Sequence, residues 1–140
     1  MEIFSHHPLK PYNTFSINAY ADEFIEVRTY DELKHLLSDH SSGSKKLIIL
    51  GGGSNILFTG DVAGTVVKVS TRGIEVLKDD PEEVHLRVAA GEDWDGLVEY
   101  CVYQGWGGLE NLSGIPGQVG SSPIQNIGAY GAELKDHLLT

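Results

Sequence analysis

Glycine clusters at two places where backbone N–H groups could bind an anion or a large ligand. The first cluster, Gly51–Asn55, is three glycines followed by Ser54 and Asn55, and it comes directly after the apolar run Leu47–Leu50. Glycine tolerates positive φ and lets a ligand approach the backbone, so successive N–H groups can converge on a phosphate. The serine hydroxyl and the asparagine amide add donors, and such a cradle needs no Lys or Arg.

The first cluster matches neither common phosphate-binding motif. No Gly-Lys-Ser/Thr follows it, as a Walker loop requires, and Ile56 occupies the place of the last glycine in a dinucleotide-binding G-x-G-x-x-G. Its position after a buried strand is where open α/β sheets bind ligands. The alternative is a strand-to-turn connection that needs positive φ, and the cluster alone does not decide between the two.

The second cluster, Gly114–Gly131, contains no charged residue, whereas a structural loop of this length is usually solvated and charged. Gly117–Gly120 has the spacing of a KH-type GxxG clamp, but no basic residues surround it. We interpret the cluster as a loop that holds a large, partly aromatic ligand, rather than as turns of a domain without a ligand. The uncharged donors of this loop are Gln118, Ser121, Ser122, Gln125 and Asn126.

Other residue types that could do chemistry give weaker signals. Glu110 lies among glycines, where a structural hydrogen bond to loop N–H groups is favoured over catalysis. Cys101 has the spacing of a packing residue and no histidine near it in sequence, which favours a core position over a nucleophile. The six histidines show no metal-ligand spacing, so no metal site is predicted. His6 and His7 adjoin an N-terminus that we expect to be mobile.

The composition is that of a globular chain about one domain long. Its 140 residues are 41% hydrophobic and 21% charged, and a chain of this length can bury roughly two-thirds of its unfolded surface. Ten Lys and Arg against twenty Asp and Glu give a formal charge of -10, which works against binding to nucleic acid or an anionic membrane. One cysteine excludes an intramolecular disulfide, and no apolar run resembles a secretory signal or a membrane span. We expect a soluble cytoplasmic protein.

The elements that must position the first cluster follow the pattern β-α-β-β. Strands are expected at 24–28, 47–50 and 64–69. A helix over 31–39 begins at a capping box formed by Thr29 and Glu32. The strand 47–50 is expected to be parallel and buried, and residues 40–44 are expected to form a loop.

From residue 71 onward we expect a hairpin, a helix and then irregular backbone. Strands 74–77 and 84–89 flank the acidic turn 78–83. Asp93 is expected to cap a helix that ends at Gly105. The chain should therefore divide into two small subdomains near residue 70. The predicted buried face of the helix comprises Trp94, Leu97, Val98, Cys101 and Val102.

Five segments, in their order and spacing, resemble the N-terminal part of the UDP-N-acetylenolpyruvoylglucosamine reductase family, also called UDP-N-acetylmuramate dehydrogenases. The resemblance implies an α+β fold, the FAD-binding domain of the vanillyl-alcohol oxidase and p-cresol methylhydroxylase type. Noncovalent FAD would lie between two small α+β subdomains, 1–70 and 71–140, the second incomplete. The five segments are Asn13–Ile17, Leu50–Leu57, Gly91–Glu92, Gly108–Leu112 and Gly114–Gly131.

The resemblance also implies which residues bind FAD. By motif position, the pyrophosphate would be held by Gly51, Gly53, Ser54 and Asn55. The rest of the diphosphate, the ribityl chain and the flavin would be lined by Pro116, Gly117, Gly120, Ser121, Ser122, Asn126, Gly128 and Gly131, with Tyr130 nearby.

In this family NADPH reduces the flavin, which then delivers hydride to the enolpyruvyl double bond of a UDP-sugar, making UDP-N-acetylmuramic acid for peptidoglycan. The family's catalytic arginine, serine and glutamate would lie beyond Thr140. The resemblance therefore implies no catalytic residue here, no substrate domain, and no activity of this chain alone. An unpaired sheet edge could promote self-association. The alternative function is a stand-alone flavin- or nucleotide-binding module without catalysis.

Overall fold

A computed structural model describes residues 1–40 and 46–139. The chain forms two compact units, Met1–Thr71 and Arg72–Thr140. Both units combine helices with short sheets, so the predicted α+β class is confirmed. No helix in the described residues is both long and apolar enough to cross a membrane.

The described part of the first unit contains the strands β1 Ile3–Pro8, β2 Tyr20–Val27, β3 Leu47–Leu50 and β4 Val62–Val69. They form one four-stranded sheet in the order β1-β2-β4-β3. β1 runs antiparallel to β2, and β4 lies parallel between β2 and β3. A short 3-10 helix, Lys10–Tyr12, follows β1. The three strands predicted from the sequence are confirmed, with β2 and β4 beginning earlier than expected.

The strand β1 was not predicted, and the expectation of a mobile terminus at His6 and His7 is wrong. Both histidines belong to β1 and stack across the sheet, His6 on Tyr20 with ring centroids 4.5 Å apart and His7 on Phe24 at 4.3 Å. β1 is an exposed edge strand, so it lacks the apolar alternation that identifies a half-buried strand. Cross-strand aromatic pairs hold it instead.

The helix α1, Tyr30–His40, connects β2 to β3 and confirms the predicted helix. Its capping box is formed: the N–H of Glu32 donates to the Thr29 hydroxyl at 3.2 Å, and the Thr29 N–H donates to the Glu32 carboxylate at 3.3 Å. These bonds satisfy backbone groups that the first turn leaves without a helical partner. His40 ends the helix rather than opening a loop, and the rest of the predicted loop lies outside the described residues.

The central strands β2 and β4 are buried on both faces of the sheet. Neighbouring residues of a strand point to opposite faces, so each strand contributes side chains to two separate clusters. Phe24 and Val66 pack in one cluster, and Ile25 and Val67 pack in another with residues of α1. β3 is parallel as predicted, but it is not fully buried. It lies at the sheet edge, where Ile49 is 54% exposed.

The second unit begins with the predicted hairpin and helix. β5, Ile74–Asp79, pairs antiparallel with β6, Val84–Val88. The helix α2, Trp94–Gln104, begins where the Asp93 carboxylate accepts the N–H of Gly96 at 2.9 Å. It ends at Gly105, which adopts φ 77°. These boundaries confirm the capping signals of the sequence.

The buried face of α2 is narrower than predicted. Trp94, Leu97, Val98 and Cys101 are buried, whereas Val102 is 54% exposed, so its assignment to the core is wrong. The Trp94 indole N–H donates to the Leu112 carbonyl at 2.8 Å and ties α2 to the irregular chain that follows.

The rest of the second unit is built from short elements, as the loss of periodicity predicts. The sequence pattern does not indicate two of these elements. They are the helix α3, Ser122–Gln125, and a hairpin with two residues in each strand, β7 Gly128–Ala129 and β8 Ala132–Glu133. The remaining elements are the 3-10 helices Glu110–Leu112, Val119–Ser121 and Leu134–His137.

Candidate functional site

The first glycine cluster forms a turn at the C-terminal end of β3. β3 ends at Leu50 and the turn begins at the next residue. Gly53 is buried with φ 75°, while Gly52 and the side chain of Asn55 are exposed and Ser54 is half-buried. The turn therefore presents a glycine backbone and a neutral amide to solvent at the end of a parallel strand, the position at which such sheets bind ligands.

The floor of this turn is the loop between β1 and β2. A Cβ on Gly53 would lie 2.0 Å from the carbonyl oxygen of Tyr12 and 3.1 Å from the Cα of Asn13. The N–H of Thr14 donates to the Gly53 carbonyl at 3.2 Å, and the Thr14 hydroxyl lies 3.5 Å from the same oxygen. Gly53 is thus required by packing and conformation whether or not a ligand binds.

The buried side chain of Asn13 holds that floor in shape. Its amide NH₂ donates to the carbonyls of Leu9 at 2.9 Å and Ile17 at 3.2 Å, and its oxygen accepts the N–H of Ile17 at 2.9 Å. Asn13 and Thr14 belong to a segment that resembles the family, and the sequence alone assigns them no role at the site. Their backbone contact with Gly53 joins residues far apart in sequence, and no local pattern could have indicated it.

A lysine also reaches the first turn. The Nζ of Lys68, in β4, donates to the Gly51 carbonyl at 2.6 Å. Lys68 pairs with Leu50 in the sheet register, which brings its strand position next to the start of the turn. The sequence predicts a phosphate cradle that needs no Lys or Arg, whereas in the structure a cation contacts the turn. No local sequence pattern indicates this contact, because it depends on the pairing of β3 with β4.

The second glycine cluster runs along the segment that precedes α2. The N–H of Val119 donates to the Glu92 carbonyl and that of Gly120 to the Ala90 carbonyl, both at 2.9 Å, while the Gly117 carbonyl accepts the N–H of Trp94 at 3.1 Å. These bonds bring the resemblance segments at 91–92 and 114–131 together. They also occupy N–H groups that a GxxG clamp would need.

Neutral side chains of this segment are also engaged with their own backbone. The Gln118 amide donates to the Gly91 carbonyl at 2.9 Å. The hydroxyls of Ser121 and Ser122 donate to the carbonyls of Gln118 and Val119 at 2.9 and 2.6 Å. A ligand would therefore meet Ser121 and Ser122 through oxygen lone pairs more readily than through hydroxyl protons. The exposed side chains of Gln125 and Asn126 lie at the end of α3.

Two further glycines of the second cluster are explained by the hairpin β7–β8. Tyr130 and Gly131 form its turn with φ 53° and 84°, the two positive values that a tight type I′ turn requires. A Cβ on Gly128 would lie 3.1 Å from the Ala132 carbonyl oxygen. Tyr130 is 92% exposed, so this turn projects an aromatic ring into solvent in a conformation that tyrosine seldom adopts.

The start of the second cluster is held by a carboxylate. Asp95 accepts the N–H of Gly114 at 2.7 Å and the hydroxyl of Ser113 at 2.9 Å. These bonds, the Gly114 N–H foremost, hold the pKa of Asp95 below its usual value. Glu110 plays a similar structural part: its own N–H and that of Gly108, the latter at 2.5 Å, lower its pKa. The structural interpretation of Glu110 is confirmed.

The remaining reactive residue types do not form a site in the described residues. Cys101 is 4% exposed among core side chains of α2, and burial raises the pKa of its thiol, which disfavours the nucleophilic thiolate. Across residues 1–40 and 46–139, no three His, Cys, Asp or Glu residues are grouped so as to hold a metal ion.

The thirteen predicted site residues thus fall on two stretches, one in each unit. Gly51, Gly53, Ser54 and Asn55 share the turn after β3. The other nine follow α2 and extend through the turn of the β7–β8 hairpin: Pro116, Gly117, Gly120, Ser121, Ser122, Asn126, Gly128, Tyr130 and Gly131. Gly53, Gly120, Gly128 and Gly131 have structural reasons to be glycine, and the roles of all thirteen residues toward a ligand stay predictions.

Comparison with known families defines the class of protein. The model of the FAD binding domain family matches residues 21–140, and the chain belongs to this family. FAD is accordingly its cofactor.

Individual relatives narrow the comparison. Proteins named UDP-N-acetylenolpyruvoylglucosamine reductase are 49% identical in Chromobacterium violaceum and 47% in Flavobacterium johnsoniae, over 94% and 97% of this chain. A crystal structure of the reductase from Thermus caldophilus is 28% identical, with a TM-score of 0.69 over 96% of this chain and 45% of that one. The chain spans about two-fifths of the length of these curated relatives, 38% and 40%.

The donor set of the first turn fits the diphosphate of FAD. The turn contains backbone N–H groups, the half-buried hydroxyl of Ser54 and the exposed neutral amide of Asn55, and the Lys68 ammonium, a cation, contacts its Gly51 carbonyl. No carboxylate lies within the run Gly51–Asn55 to repel an anion. Neutral donors at a glycine turn can bind a phosphate without a large positive field, which is compatible with a formal charge of -10.

Proposed function

We propose that this chain is the FAD-binding portion of a reductase that acts on UDP-N-acetylenolpyruvoylglucosamine. The observation that carries the proposal is the glycine turn at the end of β3, which packs on the β1–β2 loop and whose Gly53 carbonyl accepts the N–H of Thr14 in that loop. The 44–49% identity to proteins named for this activity supports it. The whole reaction would convert the enolpyruvyl UDP-sugar to UDP-N-acetylmuramate for peptidoglycan, in the cytoplasm.

In this proposal, FAD when bound would supply the hydride-transfer chemistry between NADPH and the substrate double bond. The chain's own residues bind and orient the cofactor: Gly51, Gly53, Ser54 and Asn55 hold its diphosphate. The stretch from Pro116 to Gly131 lines the remaining diphosphate, ribityl chain and flavin, with Tyr130 close by. Substrate reduction itself is assigned to the longer protein, because the relatives extend well beyond the length matched here.

Cofactor binding is tested by titrating the purified chain with FAD while following flavin absorbance and fluorescence. Asn55→Asp places a carboxylate on an exposed side chain of the turn, so we expect loss of FAD affinity with little change in folding. Asn18→Asp is the matched control, since Asn18 is also exposed in the first unit but outside the turn. Equal FAD affinity of the Asn55→Asp variant and the control would remove the turn from the binding site.

Activity is tested in a second experiment with NADPH and the enolpyruvyl UDP-sugar. We expect substrate-dependent NADPH oxidation from a protein with the full length of the relatives, and none from these 140 residues. Turnover by the 140-residue chain alone would contradict the assignment of catalysis to the longer protein.

A second candidate function is a flavin- or nucleotide-binding module without catalysis. It is favoured by one observation: each glycine cluster is held by contacts within its own unit, so each is shaped without further chain. FAD binding together with no reductase activity in the full-length protein would support this alternative.

We also propose weak self-association through the sheet edge of the second unit. The outer strand β5 is mostly exposed, with Val76 at 42% and Leu77 at 51%. A strand with unpaired backbone groups and exposed apolar side chains can pair with another copy. Concentration-dependent sedimentation that is abolished by Val76→Lys would support this contact, and a monomer at all concentrations would exclude it.

A further inference from the structure

The first glycine turn has two of its carbonyl groups held by other parts of the first unit. The Gly51 carbonyl accepts a hydrogen bond from the ammonium of Lys68 at 2.6 Å, and this hydrogen bond is partly buried. The Gly53 carbonyl accepts the N–H of Thr14 at 3.2 Å. The two contacts come from opposite ends of the sequence of this unit, one from β4 and one from the loop before β2.

Holding a carbonyl also fixes the direction of the next N–H. A peptide group is planar, and in the trans form its C=O and N–H point in opposite directions. The described residues contain no cis peptide bond. The Gly51 carbonyl therefore faces Lys68 while the Gly52 N–H faces away from it. In the same way, the Gly53 carbonyl faces Thr14 while the Ser54 N–H faces away.

We propose that Lys68 is a positioning residue for the FAD diphosphate: it holds the Gly51–Gly52 peptide so that the Gly52 N–H is directed at the phosphate. The inference rests on the proposed function. Gly52 is exposed, so a ligand can reach the backbone of the turn at this residue. The Thr14 contact fixes the Ser54 N–H in the same manner.

The charge of Lys68 adds to this effect. A cation bound to the carbonyl polarises the peptide and strengthens the N–H as a donor to an anion on the other side. Hydrogen bonds with one ionised partner are stronger than neutral ones. A flexible glycine turn would otherwise lose conformational entropy when it binds, and the two held carbonyls reduce that cost in advance.

The test compares Lys68→Met with Lys68→Arg. Methionine keeps most of the apolar stem and removes the donor and the charge, whereas arginine keeps both. Lys34→Met, on the exposed surface of α1, is the control for loss of a lysine charge in the same unit. We expect the Lys68→Met variant to bind FAD about tenfold more weakly, and the Lys68→Arg and Lys34→Met variants to bind within about twofold of the unmodified chain.

A second readout separates positioning from general stability. In ¹H–¹⁵N spectra of the unmodified chain, FAD should move the Gly52 amide proton downfield, because that N–H donates to a phosphate. The movement should be smaller in the Lys68→Met variant and restored in Lys68→Arg. A Gly52 amide that ignores bound FAD overturns the proposal, as does equal FAD affinity of Lys68→Met and the unmodified chain.

The unfolding midpoint of each ligand-free variant is measured alongside both readouts. If Lys68→Met does not fold, Lys68→Leu replaces it, since leucine also removes the donor and the charge, and full FAD affinity in that variant overturns the proposal. Failure of the unmodified chain to bind FAD instead refutes the proposed function. The two failures are therefore distinguishable.

Discussion

Substitution of Gly53 by alanine should destabilise the first unit severely, through packing and not through lost cofactor contacts. Gly53 has φ 75°, a conformation that costs an L-residue about 1–2 kcal/mol. The new Cβ would lie 2.0 Å from the Tyr12 carbonyl oxygen and 2.8 Å from its carbon, where ordinary contacts begin at 3.4 Å. Those atoms are backbone, so they cannot rotate away as a side chain could.

The size of the effect follows from these contacts. Overpacking a rigid site costs about 1–3 kcal/mol. Separating the two segments also breaks the Thr14 to Gly53 hydrogen bond, worth about 0.5–1.5 kcal/mol. Together with the conformational cost, the Gly53→Ala variant should lose about 3–6 kcal/mol, which is a large share of the roughly 5–15 kcal/mol that holds a typical domain.

Two other glycines provide matched controls in urea unfolding followed by far-UV circular dichroism. Gly105 has nearly the same φ, 77°, and no atom would lie within 4 Å of an added Cβ, so Gly105→Ala isolates the conformational cost. Gly60 also has open space and no positive φ, so Gly60→Ala should change stability by less than about 0.5 kcal/mol. A Gly53→Ala variant no less stable than Gly105→Ala would refute the packing argument.

Three further outcomes are expected. Gly120→Ala should lower the free energy of unfolding by about 1–3 kcal/mol, because its Cβ would lie 2.5 Å from that of Ala90. In a double-mutant cycle, Ala90→Gly should recover part of this loss, and strict additivity of the two changes would contradict the contact. Trp94→Phe should cost about 1–3 kcal/mol in urea unfolding, since it leaves the buried Leu112 carbonyl without its indole donor, and a change below about 0.5 kcal/mol would show that the bond is unimportant. The pKa of Glu92 is lowered because its carboxylate accepts hydrogen bonds, first from the backbone N–H just before β5 and then from an arginine. Its stabilising effect is therefore present above its usual pKa of about 4.5 and is lost as the pH falls through the lowered value. In a pH series of unfolding midpoints, Glu92→Gln should lose less stability at acid pH than the unmodified chain.

The sequence predicted the elements whose signals are local. The capping box at Thr29 and Glu32, the Asp93 cap and the Gly105 end of α2 all depend on residues within one helical turn, and all are formed. The hairpin β5–β6 was predictable because its acidic turn separates two β-rich runs. Sequence patterns identify such features because the interacting groups are close neighbours in the chain.

What the sequence could not provide depends on contacts between distant residues. The exposure of Ile49 follows from the strand order, which places β3 at the edge of the sheet. The strand β1 is held by rings of another strand and has no apolar alternation of its own. Lys68 reaches the glycine turn because β4 pairs with β3. Each of these is a consequence of topology, which local propensity does not specify.

The same distinction decides which substitutions can test cofactor binding. A glycine that packs against its own chain, as Gly53 and Gly120 do, gives a variant that loses binding by unfolding, and such a loss says nothing about FAD. An exposed side chain on the same turn, such as that of Asn55, can change without disturbing the packing beneath it. Loss of FAD affinity in Asn55→Asp with an unchanged unfolding midpoint would therefore identify the turn as a binding site, which a Gly53 variant could not do.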